Sequence, residues 1–277
     1  MAQSVIDFHT HAFPDGLAAK AISTLEAQPG NAKAVLDGTI GSLLRSMDDA
    51  GIATSVVACI ATKPEQFPAI LKWCTAIASE RIVPFPSLHP FDPEALARID
   101  AVREAGFKGI KLHPYYQGFE MDDPRLLPIY ERLQDSGLLH LSHTGFDTAF
   151  PRIRKCDAEC VLRLLDRFPR LRLVTSHMGG WQDWAESRKH LLGRPIYMEI
   201  SYSMEFMSDT EARGILLGHP KEYLLFGTDS PWSSQKAAVE RVLSLGLGPE
   251  REAALLWGNA RRLLGPGHCG RDAHAVE

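Results

Sequence analysis

The strongest constraint on this chain is an alternation. Eight short runs rich in Val, Ile, Leu and Phe, near residues 5–8, 55–60, 82–88, 108–112, 138–142, 171–176, 196–200 and 223–227, are separated by longer segments of helical period. Repeated βα units around a parallel sheet give this pattern. The helical segments are amphipathic: Ile40, Leu43, Leu44 and Met47 share a face, as do Val161, Leu164, Leu165 and Phe168. Gly51 and Pro169 follow where helices stop. A last helix over 250–264 aligns Ala253, Leu256, Trp257, Ala260 and Leu263 and is expected to pack outside the last strand. Eight units in 277 residues predict one α/β domain, a (β/α)₈ TIM barrel over 1–265. Gly265-Pro266-Gly267 then opens a loose polar tail over 266–277.

Composition narrows the class. With 45% hydrophobic and 23% charged residues the chain has enough apolar surface for a large core, which excludes disorder as its main state. A net charge of −4 argues against nucleic acid as a partner. No apolar run approaches the roughly 18 residues that cross a bilayer, and Asp7 interrupts the first one, so neither membrane nor signal peptide is expected. Five cysteines without a Cys-x-x-Cys pair fit a reduced cytoplasm. There is no G-x-G-x-x-G after the first run, no P-loop, no H-E-x-x-H and no G-x-S-x-G. A small-molecule substrate is the expected partner, and homo-oligomerisation is left open.

In such a barrel the chemistry sits where strands end. There the sequence places His9 and His11, His89, Lys111 and His113, His143, His177, Glu199 and Asp229. Residues two apart on a strand share a face, so His9 and His11 could reach one cation; taken alone, the pair fits surface histidines as well. His143 and Asp229 make the set three histidines and a carboxylate, suited to Zn²⁺ or a related divalent ion. His140 has the wrong parity to join His143, and His89, like His140, reads as structural or solvent-facing. His190, His219, His268 and His274 have no role. Lys111 and His113 share parity and are substrate-binding candidates; a buried Lys111 held by a carboxylate such as Glu199 is the competing reading. Arg152 and Arg154 could clamp a carboxylate or be merely solvated. Trp232, Trp181, Tyr115, Tyr116, Phe146, Met204, Phe206 and Met207 are candidates to line an apolar pocket. The segment 12–39 is long enough to serve as a lid.

The runs Asp7-Phe8-His9-Thr10-His11, Gly109-Ile110-Lys111-Leu112-His113-Pro114, His143-Thr144-Gly145, Ser176-His177-Met178-Gly179-Gly180 and Gly227-Thr228-Asp229-Ser230-Pro231, in that order, resemble the amidohydrolase superfamily. More narrowly they are similar to the branch that includes aminocarboxymuconate-semialdehyde decarboxylase, as is the closing Asn259-Ala260-Arg261-Arg262-Leu263-Leu264. The resemblance implies metal binding by His9, His11, His143 and Asp229. It makes His177 a polarising or acid/base residue beside one ion, or a ligand of a second. The Leu112-His113-Pro114 context of Lys111 looks like the one-metal branch, so one ion, expected to be Zn²⁺, and an unmodified Lys111 are favoured over two ions bridged by a carbamylated lysine.

The expected activity is therefore hydrolysis of a small-molecule amide, lactone or ester by a metal-activated water. Asp229 would take the water's proton and His177 would stabilise the charge on the attacked oxygen. The alternative is metal-dependent non-oxidative decarboxylation of a small carboxylic acid. A barrel that binds metal or ligand without turnover is disfavoured, since it has no need of an acid/base pair beside a full ligand set.

Overall fold

A computed structural model describes residues 4–28, 30 and 32–265 of the chain. The predicted tail over 266–277 lies outside these residues. Eight parallel strands form where the alternation placed them: β1 (Val5–Thr10), β2 (Ile52–Ala58), β3 (Ile82–Phe85), β4 (Gly109–Leu112), β5 (Leu139–Ser142), β6 (Arg172–Thr175), β7 (Tyr197–Glu199) and β8 (Leu224–Leu225). The third is shorter than expected and ends at Phe85.

Strands β1 to β3 pair as one sheet and β4 to β8 as another. Two seams close them into a TIM barrel. Lys111 N–H donates to the Pro86 carbonyl at 3.0 Å, and Phe8 N–H and His11 N–H donate to the Phe226 and Ser230 carbonyls at 2.7 and 2.6 Å.

Helices α1 (Asp15–Glu26) and α2 (Ile40–Ala50) follow β1. One helix follows each later strand: α3 (Phe67–Ile77), α4 (Ala95–Glu104), α5 (Leu127–Ser136), α6 (Ala158–Arg167), α7 (Trp184–His190), α8 (Asp209–Gly218) and α9 (Gln235–Ser244). Thr39, Asp157 and Ser234 begin α2, α6 and α9 by accepting the N–H of Ser42, Cys160 and Ala237. Each satisfies a donor that the helix leaves orphaned. The closing helical run contains a π-helical stretch (Ala254–Gly258). It packs against β8 and β1 and sends Ala260, Leu263 and Leu264 into the interior cluster, so it does more than cover the last strand from outside. No described helix is long and apolar enough to cross a membrane.

The core has two parts. One joins helices to the outer faces of the strands; the other fills the barrel with Ile6, Phe8, Phe85, Leu141, Val174 and Leu225. Above that apolar layer the inward positions turn polar: Lys111, His143, Ser176 and Glu199. Strand β1 reaches this layer through a bulge. Asp7 pairs with Ser55 and Thr10 with Val57, three steps against two. The extra residue shifts the parity, so Phe8 and His9 both lie on the barrel side while Asp7 is held outside by Thr228 and Gln235.

Candidate metal centre

His9 Nδ1 donates to the Glu199 carboxylate at 2.9 Å, and His11 Nδ1 donates to the Ala58 carbonyl at 2.7 Å. Each neutral ring therefore carries its proton outward and turns an Nε2 lone pair inward. The two Nε2 atoms stand 3.2 Å apart, and Asp229 Oδ1 lies 3.0 Å from that of His11 and 3.6 Å from that of His9. With both Nε2 atoms unprotonated these three acceptors converge as metal ligands do, with the Lys111 Nζ a cation beside them, 3.2 Å from His9 Nε2. Metal–nitrogen bonds of about 2.0–2.1 Å place adjacent ligand nitrogens about 3.0–3.4 Å apart, so this donor set fits a divalent ion. Burial, with the Lys111 ammonium adding to it, pushes His9 well below its ordinary value and keeps its lone pair available. Burial works to raise the Asp229 carboxyl, but the His9 and His11 rings outweigh it and hold it at about 2.

A second pair repeats the logic. His143 Nε2 donates to the Phe146 carbonyl at 2.8 Å, and His177 Nδ1 donates to the Ser201 carbonyl at 3.0 Å. This leaves His143 Nδ1 and His177 Nε2 facing each other at 3.1 Å, two lone pairs unless one ring is protonated. The backbone supports the arrangement at a cost: His177 and Asp229, neither a glycine, sit at φ 58° and 62°, and such strain concentrates at functional sites. Two glycines make room. A Cβ at Gly145 would lie 2.1 Å from the Trp181 nitrogen, and one at Gly227 would lie 2.5 Å from Glu199 Oε2.

Lys111 is fully buried, its Nζ 3.2 Å from His9 Nε2 and 3.5 Å from Ser176 Oγ; burial lowers it to about 8. His113 stacks on His143, with ring centroids 4.2 Å apart, and its Nε2 lies 3.4 Å from the Asp147 carboxylate. Burial raises Asp147 to about 6.

The structure thus brings His9, His11 and Asp229 together, with ligand atoms within 4.8 Å of one another, and seats His143 with His113 and Asp147 in an adjoining cluster of the same span. Lys111, His113, His177 and Trp232 line the cavity above. Arg152 does not. It lies exposed over Phe146 and donates to Gln182, while Arg154 pairs with Asp183. Of the aromatic candidates, Tyr116, Trp181 and Trp232 line the cavity; Tyr115, Phe146 and Met204 are buried elsewhere in the packing, and Phe206 is exposed. Glu199 serves His9 rather than Lys111 directly. Sequence reasoning missed Ser201, whose hydroxyl lies 2.9–3.1 Å from Glu199, His9 and His177. Its position two residues after Glu199, on the same face, was the available signal. Asp147 was missed as well, for it lies in an aperiodic loop.

The sequence profile of the amidohydrolase family matches residues 6–265. No curated protein matches the chain in sequence. Among solved structures, the chain is similar to an uncharacterised TIM-barrel protein from Bordetella bronchiseptica, with TM-score 0.75 and 22% identity over 94% of this chain and 98% of that one. A dihydroxybenzoic acid decarboxylase from a Polaromonas species, with bound manganese and the inhibitor 2-nitroresorcinol, gives 0.69 and 16% over 95% and 97%. A probable 2-pyrone-4,6-dicarboxylic acid hydrolase from Acinetobacter baumannii gives 0.62 and 14% over 95% and 99%. At these identities the likeness establishes a shared barrel.

Proposed function

The chain belongs to the amidohydrolase family, and on that premise we propose that it is a metal-dependent hydrolase of a small-molecule amide, lactone or ester. His9, His11 and Asp229 would hold one divalent ion, Zn²⁺ by donor type; His143 as a fourth ligand rests on the family resemblance, since its open Nδ1 faces His177 Nε2 in the adjoining cluster. Such an ion lowers the pKa of water from about 15.7 towards about 7 and polarises a carbonyl. Glu199 and the Ala58 carbonyl fix which nitrogen of each histidine faces the ion. Asp229, ionised at neutral pH, accepts the proton of the attacking water and returns it to the leaving nitrogen or oxygen as the carbonyl-to-leaving-atom bond breaks. His177 donates Nδ1–H to the Ser201 carbonyl and turns Nε2 toward His143 Nδ1 at 3.1 Å, at the edge of the cavity, and its role in this reading is to stabilise the negative charge that develops on the attacked oxygen.

One observation carries hydrolysis over decarboxylation. A decarboxylase needs a cation to fix the departing carboxylate; no arginine lines the cavity among the described residues, and the Lys111 ammonium that does line it lies against the metal centre, 3.2 Å from His9 Nε2. The similar Polaromonas structure keeps decarboxylation as the second reading. The test is to incubate the zinc protein with panels of esters, lactones, amides and aromatic acids in ¹⁸O-water. Uptake of ¹⁸O into a carboxylate product is expected, with Asp229→Asn keeping the ion and losing about 10² or more in kcat. Release of CO₂ without ¹⁸O uptake would assign the chain to the carboxy-lyases.

A further inference from the structure

We infer that the outer part of the cavity receives a neutral alkyl or aryl arm of the substrate. The head group at the metal centre follows the hydrolase reading, on which this inference rests. The cavity has a volume of about 430 Å³, within the range of about 300–1,000 Å³ usual for small-molecule sites. Its composition is lopsided. The charged side chains and histidines that line it, Lys111, Asp147 and Asp229 among them, lie in or against the metal centre and the adjoining His113 and His143 cluster. The wall away from them is mainly apolar: Phe13, Leu17 and Leu25 from the segment that follows β1, and Ile60, Ile70 and Trp73 from the turn after β2 and from α3, with Thr62 and Gln66 as uncharged polar side chains among them.

Helix α1 buries only Ala18, and Leu17, which lines the cavity, is 58% exposed. A helix that turns leucines to a cavity and buries so little of itself gains a partner surface when an apolar group fills that space. A carboxylate in the same place would lose its water and find no arginine or lysine on that wall among the described residues. The arm is therefore uncharged, and its length is read by α1 and α3.

The zinc protein is titrated calorimetrically with acetohydroxamic, hexanohydroxamic and octanohydroxamic acids, whose common head group binds the ion. Suberic monohydroxamic acid, the eight-carbon chain ending in a carboxylate, is the charged comparison. Affinity should rise roughly fourfold for each methylene buried, and the suberic probe should bind at least about 100-fold more weakly than octanohydroxamic acid. Ile70→Arg, on the outer wall, should close or reverse that gap. Because the ranking is taken within one protein, general damage to the fold does not mimic it. A flat chain-length series, equal binding of the two eight-carbon probes, or no binding of octanohydroxamic acid overturns the inference. Hydrolysis is read separately by ¹⁸O uptake, so an arm confirmed by binding with no turnover would fault the reaction and leave the arm standing.

Discussion

Two imidazoles that turn their protons away from each other define what single residues contribute here. His9 can hold its Nε2 lone pair on the ion only while Glu199 accepts from its Nδ1, and Glu199 keeps its place only because position 227 has no side chain. Gly227→Ala would put a methyl 2.5 Å from Glu199 Oε2. The carboxylate must move, and the ring it orients moves with it. Zinc affinity measured against a competing chelator should fall about 10- to 100-fold, the usual effect of losing a group that orients a ligand; unchanged affinity would remove Glu199 from that role. The ion count belongs to this scale too. One Zn²⁺ per chain and an unmodified Lys111 are expected from elemental analysis and intact mass. Two ions, or the added mass of a carbamate, would turn His177 from a stabiliser of the attacked oxygen's charge into a ligand.

At the scale of elements, the regular strands were legible and the irregular one was not. Period two through Gly109 and Lys111 on β4 to His113 just beyond it, and through Leu139 and Leu141 on β5 to His143 just beyond it, gives the inward face, and the structure keeps it. On β1 the same rule, started from Ile6 and Phe8, would turn His9 outward. The bulge that rescues it has no residue signature, because any extra residue can be accommodated by the ladder. The loops carry no period at all, which is why Arg152 could be suggested for the cavity and Asp147 overlooked. Parity also explains His140, which faces outward toward Tyr130, fully buried, with neither ring nitrogen hydrogen-bonded among the described residues. Burial, then the charge on Lys111, lowers it from 6.5 to about 3. Between those values the unfolded chain binds a proton that the folded chain refuses. The folded state is therefore favoured above pH 6.5 and loses about 1.4 kcal/mol per pH unit from this group as pH falls towards 3. His140→Phe deletes the titration while keeping an aromatic ring against Tyr130. Urea midpoints measured from pH 6.5 down to 4 should fall less steeply in the variant than in the parent; parallel slopes would assign the acid sensitivity elsewhere.

For the whole molecule, the centre sits where the chain closes on itself. His9 and His11 belong to the end of β1, in the three-stranded sheet, and Asp229 follows β8, the last strand of the five-stranded one. Short segments hold that seam: β8 has two residues, and the backbone bonds near it run from Phe8, His11 and Asp229 to Phe226, Ser230 and His9. An ion bound by side chains from both sheets clamps the first strand to the last, and since the unfolded chain holds these ligands some 220 residues apart (229 − 9), it binds the folded barrel preferentially. Ligand that binds only the folded state stabilises it by about 4 kcal/mol at a thousandfold excess over Kd. For a barrel of this size each kcal/mol moves Tm by about 2–4 °C, so saturating zinc should raise Tm by roughly 8–16 °C over the chelator-treated protein. His11→Ala should unfold near the temperature of the metal-free parent and respond little to zinc, because the missing ligand is on the β1 side while Asp229 remains on the other. If the variant gained as much from zinc as the parent does, His11 would not be a ligand, and its part in the clamp across the seam would have to be abandoned.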